Sequence, residues 1–163
     1  MEQFSIVGKD VPRNDAVIKA RGSAIYTDDM KLPGMLYGQI LRSPVAHARI
    51  VNIDTSKAKA LPGVKSVITG RDIPKVKYGN WRLFADTQDE YTLAVDKVRF
   101  IGDEVAAVAA VDKETAREAV SLIDVEYETL EGLFHIDSSM REGAEVIHDY
   151  CPGNVSVNRK IEY

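Results

Sequence analysis

Short apolar or alternating runs separated by turn residues make up most of this chain, and the clearest is Val98 to Val111. Within it, Val105 to Val111 is almost wholly apolar and reads as a buried strand, with Gly102 permitting a bend or bulge just before it. Similar β patterns are read at Met35 to Ser43, where Pro44 interrupts the ladder, and at Ala46 to Ile53, Val64 to Thr69, Leu93 to Phe100 and Val125 to Glu128. The β-branched and aromatic residues Val17, Ile18, Ile25 and Tyr26 predict a further strand over 16–26, closed by a turn at Asp28-Asp29 and Pro33-Gly34.

Two stretches change to helical spacing. Asp54-Thr55-Ser56 offers N-caps for a short helix through Leu61, stopped by Pro62-Gly63. Asp112 caps the better one, with Glu114 in its first turn and Ala116, Ala119, Val120 and Ile123 on one face. Residues 129–153 read as a connection with one helical turn near Ser138 to Glu142, and residues 70–92 as a long loop of the kind that is functional or mobile. Because successive strands are not each joined by a full-length helix, the pattern predicts an α+β domain with a mixed sheet and two main helices, not a doubly wound parallel fold.

The termini differ from this middle. Residues 1–15 are polar, contain Pro12 and read as an extended arm that needs another surface to order it. Residues 154–163 begin a new alternating run, read as the start of a linker or strand leading to a further domain.

Composition narrows the functional classes. A chain of 163 residues with 45% hydrophobic and 28% charged residues suits one globular domain with its own core. The net charge of -4 disfavours nucleic-acid backbone binding, which needs a basic face. No window has the apolar length of a membrane span and no export signal opens the chain, so neither nucleic acid nor membrane is expected as a partner and a cytoplasmic setting is. The single cysteine, Cys151, allows no internal disulfide and no Cys-rich metal site, and Asn154-Val155-Ser156 reads as a chance sequon.

Candidate chemistry is sparse. Neither the dinucleotide glycine fingerprint nor a phosphate-binding loop occurs. His47, His135 and His148 lack metal-ligand spacing and read as polar or capping residues. Ser43 and His47 lie close enough to suggest a nucleophile and base, but the glycines of a nucleophile elbow are missing around Ser43. Asp28-Asp29 reads as turn capping before a cation site, and Met30-Lys31 fits poorly as the modified lysine of a carrier hairpin.

Several phrases in order carry a family resemblance. Arg13-Asn-Asp-Ala-Val-Ile-Lys-Ala-Arg-Gly-Ser-Ala-Ile-Tyr-Thr-Asp-Asp29, Leu41-Arg-Ser-Pro-Val-Ala-His-Ala-Arg-Ile50, Leu61-Pro-Gly-Val64, Ala94-Val-Asp-Lys-Val-Arg-Phe-Ile-Gly102 and Val125-Glu-Tyr-Glu128 together resemble the N-terminal α/β-hammerhead domain of the molybdenum-binding subunit of the xanthine dehydrogenase and aldehyde oxidase family. Asp103-Glu104 and Glu131-Gly-Leu-Phe134 depart from the family's usual phrases.

The resemblance implies a hammerhead domain over 1–153 and a parent oxidoreductase, a molybdenum hydroxylase that oxidises an N-heterocycle or aldehyde with water as oxygen source. It implies that the molybdopterin cofactor lies in other domains of the same subunit, and that iron–sulfur clusters and FAD lie in partner domains or subunits. The family phrases that hold the cofactor and supply the catalytic base have no counterpart here, so this segment is expected to bind no cofactor or metal, to hold no catalytic residue and to be inactive alone. By the same resemblance Leu83 and Phe84 are candidates for the lining of the substrate channel, with anchoring of the long loop as the plainer role. A free-standing protein-interaction module without enzymatic activity is the competing reading.

Overall fold

Pairing among the strands, more than their number, decides the architecture. A computed structural model describes residues 4–79, 88–158 and 160–162, and the chain divides into two compact units, Met1–Met35 and Leu36–Tyr163.

The first unit contains the helix α1 (Ala16–Ala20) and a 3-10 turn at Thr27–Asp29. The strand expected over 16–26 is therefore a helix at its start. Val17 and Ile18 favour a strand only where a neighbour accepts their backbone groups, and here those groups close local bonds, Lys19 N–H to Asp15 O and Arg21 N–H to Val17 O, both at 3.1 Å. Asp15 also pairs with Arg13 and Lys19, which hold its carboxyl below the usual carboxylate range.

The second unit runs β1 (Tyr37–Arg42), β2 (Ala48–Asp54), α2 (Ser56–Ala60), β3 (Val64–Thr69), β4 (Lys97–Val98), β5 (Glu104–Ala110), α3 (Lys113–Ser121), β6 (Asp124–Thr129) and α4 (Ile136–Met140). The α+β class and the two main helices, α2 and α3, stand as expected. The mixed sheet is corrected to two three-stranded sheets, ordered β1-β5-β3 and β4-β2-β6, in which every pairing is antiparallel. Extended structure expected over Leu93 to Phe100 contracts to the two residues of β4, because only Ala48 and Arg49 lie opposite to receive it.

β5 holds the core together. Ala106 and Val108 face a cluster with Ala58, Val67, Ala119 and Ile123, whereas Val105 joins Ala48, Ala94 and Val98 in a second cluster. Ile53 and Val125 pack against both clusters, so the sheets share one apolar interior. Alanines at 58, 106, 116 and 119 are essentially unexposed and let α2 and α3 lie close to the first sheet. Asp112 caps α3 by accepting the Thr115 N–H at 2.7 Å.

Candidate functional site

The bend between β1 and β2 is tied down residue by residue. Register slips between Leu41 and Arg42 where β1 leaves β5, and Arg42 Nη1 donates to Gly102 O at 2.8 Å and to Glu104 Oε1 at 2.6 Å. Ser43 then exchanges backbone bonds with the facing loop, its N–H donating to Asp103 O and its carbonyl accepting from Gly102 N–H, each at 2.8 Å. Gly102 reaches that position at φ +100°, a conformation that disfavours any side chain. The Ser43 hydroxyl donates to Val45 O at 2.8 Å and accepts the Val45 N–H at 3.1 Å.

His47 closes the bend against the segment after β6. Its carbonyl accepts the Leu130 N–H at 2.9 Å, and its Nδ1 lies 3.0 Å from Glu131 O. A carbonyl can only accept, so Nδ1 carries a proton and, in a neutral ring, Nε2 carries the lone pair. Ser43 and His47 thus spend their polar groups on separate backbone partners and form no nucleophile and base pair.

The β4 strand supplies two cations that sequence reasoning missed. Lys97, 4% exposed, donates from Nζ to Val146 O at 2.8 Å and reaches Asp149 at 3.4 Å. That proximity holds the Asp149 carboxyl below its ordinary range. Arg99 donates from Nε to Ile147 O and from Nη1 to Lys97 O, while its backbone N–H donates to Asp103 Oδ2 at 2.9 Å. Burial nonetheless pushes the Asp103 carboxyl above its usual value. Asn154 completes this clamp, accepting the Ile147 N–H and donating to Ser139 O and Glu145 O. The alternation Lys97-Val98-Arg99 was the available signal: two cations flanking a buried valine need partners.

Two adjoining hollows result. One, of about 320 Å³, is lined by residues that include Tyr78, Tyr91, Asp103 and His148. Burial first, then Arg99, pushes the His148 ring below its usual value, against the opposing pull of Asp89. The other, of about 290 Å³, is lined by Ala46, His47, Phe100, Ile101, Leu133 and Phe134, with Arg99 and Ile147 at its base.

The remaining candidates are placed as follows. Leu83 and Phe84 lie outside the described residues. Asp29 caps its own turn by accepting the Tyr26 N–H at 3.0 Å. His135 precedes α4, where its carbonyl accepts the Ser138 and Ser139 hydroxyls. Cys151 is a buried free thiol. Among the described residues no group of three or more His, Cys, Asp or Glu stands close enough to hold a metal ion, and no helix is long and apolar enough to cross a membrane.

Comparison with known proteins adds family context. Residues 21–131 match the family model described as the aldehyde oxidase and xanthine dehydrogenase a/b hammerhead domain. The chain is 37% identical over 162 residues to the nicotinate dehydrogenase large molybdopterin subunit of Eubacterium barkeri, covering 99% of this chain and 37% of that one. It is 44% identical over 149 residues to the carbon monoxide dehydrogenase large chain of Afipia carboxidovorans, covering 91% of this chain and 18% of the relative. In structure it resembles the aldehyde oxidoreductase from Desulfovibrio desulfuricans with a TM-score of 0.81 at 29% identity, over 88% of this chain and 17% of that one. The chain therefore spans well under half the length of these relatives.

Proposed function

Because the chain belongs to the a/b hammerhead domain family of aldehyde oxidases and xanthine dehydrogenases, we propose that it is the scaffold and substrate-channel domain of a molybdenum hydroxylase subunit. The observation that carries this reading is the joint at Arg42 to His47, where nearly all the side-chain hydrogen bonding goes into fixing the chain's own backbone. Such a joint sets the positions of three loops, 42–47, 99–104 and 130–134, and leaves bond-making to other groups.

The residues described do not fit the molybdopterin cofactor. A phosphate-bearing group needs free N–H donors, and the buried cations already donate inward: Lys97 to Val146, Arg99 to Ile147 and Lys97. The cofactor is assigned to the remainder of the same subunit, with iron–sulfur and FAD groups in partner domains or subunits, in a cytoplasmic enzyme. Residues 1–153 form the hammerhead portion and 154–163 the connection onward. Leu83 and Phe84 border the substrate channel in this reading. The oxidised substrate is an N-heterocycle or an aldehyde, and water supplies the oxygen.

Expression of the complete reading frame with its partner subunits tests the proposal. The expected result is a molybdenum-containing protein that incorporates oxygen from labelled water into a heterocycle or aldehyde. A complete reading frame without a molybdopterin-binding region, or a purified complex without molybdenum, refutes it.

A further inference from the structure

His47 is 3% exposed, and the Glu131 carbonyl fixes its ring through Nδ1. Its other nitrogen, Nε2, is buried with no hydrogen-bond partner among the described residues. A buried polar atom without a partner is destabilising, and native structures rarely tolerate one unless something outside the coordinates satisfies it.

The surroundings indicate what that partner is. His47 lines the groove of about 290 Å³ with Ala46, Phe100, Ile101, Leu133 and Phe134, and three of these apolar side chains are uncovered: Phe100 is 51% exposed, Ile101 66% and Phe134 72%. The Phe134 ring is held in place over Gly132, where an added Cβ would stand 2.8 Å from it. Apolar walls around one buried acceptor match a cut-open permanent interface, which is more apolar than transient ones and pairs its few polar groups. This chain accounts for only 37% and 18% of the length of two relatives, so most of such a subunit lies outside it. A segment tethered in the same polypeptide meets the groove at high effective concentration.

We propose that this groove seats a segment from the remainder of the same molybdenum-binding subunit. An apolar side chain fills the space between Phe100 and Phe134, and a backbone N–H or hydroxyl beside it donates to His47 Nε2. The inference rests on the functional reading above and adds to it the surface and the bonding that hold the scaffold to the cofactor-bearing part.

The test uses the complete, assembled enzyme with photoreactive p-benzoylphenylalanine at position 134, which is exposed and so leaves the fold undisturbed. After irradiation, cross-linked peptides from the same polypeptide beyond Tyr163 are expected. Cross-links confined to residues 1–163, cross-links to a separate subunit, or none at all overturn the proposal. In parallel, Phe134→Ser is expected to speed amide exchange in the cross-linked segment by about tenfold while leaving β5 unchanged; equal exchange in both proteins overturns it. A molybdenum-containing enzyme with the wrong cross-links refutes the groove alone, whereas a reading frame with no cofactor-binding region refutes the functional reading as well.

Discussion

Replacing Gly70 with alanine probes the packing that joins β3 to the segment before β4. A Cβ built at Gly70 would stand 2.1 Å from Ala94 O, 2.8 Å from Ala94 C and 2.8 Å from Val95 Cα. All three are backbone atoms, so no rotamer change relieves the overlap. Nor is the facing segment free to retreat, since Ala94 N–H donates to Glu104 O at 2.6 Å and Ile50 N–H to Asp96 O at 2.9 Å. A gap of 2.1 Å falls more than about 1 Å short of a normal nonbonded contact.

Overpacking costs about 1–3 kcal/mol, and a backbone collision places Gly70→Ala near the top, at about 3 kcal/mol. At 1.36 kcal/mol per factor of ten, this corresponds to roughly a hundredfold increase in opening. The complete subunit has several domains and no single unfolding midpoint, so the measurement is hydrogen exchange by mass spectrometry on peptides covering Val64–Thr69 and Glu104–Ala110. Gly102→Val is the control. It meets open space but at φ +100°, and it should lose about 1–2 kcal/mol through backbone strain instead. If Gly70→Ala exchanged like the parent protein, the argument from close approach would be wrong.

Three further outcomes follow from particular contacts. Lys97→Met leaves the Val146 carbonyl without its 2.8 Å donor and should destabilise by about 1–3 kcal/mol, with faster exchange over 145–149; Asp149→Asn should do less, because Asp149 is largely exposed. The His148 ring is held below its usual value of 6.5 by burial and by Arg99, so its contribution to stability is complete above that pH and is lost as pH falls toward the lowered value. Denaturation measured at intervals below about pH 6.5 should show that loss in the parent and not in His148→Gln. Replacing Leu83 and Phe84 together with Ala in the complete enzyme should change KM or substrate preference with little effect on folding; unchanged kinetics with lowered stability would identify them as loop anchors.

Local signals were most legible where they needed no distant partner. Asp112 caps α3, the Ala and Val face of that helix packs inward, and the apolar run at Val105 became the central strand because no other environment suits it. The sequence misled where β propensity depended on a neighbour, as at Val17 and Ile18, and where a long extended run met a partner only two residues deep at β4. Parallel and antiparallel pairing could not be separated from composition, which is why two antiparallel sheets were read as one mixed sheet. Lys97, Arg99 and Asn154 stayed hidden because their partners are carbonyls at 97 and 139–147, and a carbonyl has no sequence signature.

The same point explains why the Arg-Ser-Pro-Val-Ala-His phrase looks chemical and is architectural. Arg42, Ser43 and His47 are residue types that catalysis also uses, but each side chain bonds a backbone carbonyl: Gly102, Val45 and Glu131. Polar side chains spent this way fix a turn that apolar packing alone would leave loose, since buried hydrogen bonds are directional and hydrophobic contacts are not. For a domain that shapes a channel this matters, because a reacting group misplaced by about 1 Å can cost a hundredfold in rate. Rigidity at the joint is thus the means by which residues that never touch substrate can govern turnover, and Arg42→Ala should appear in kcat of the complete enzyme even though Arg42 lies on an exposed ion pair with Glu104.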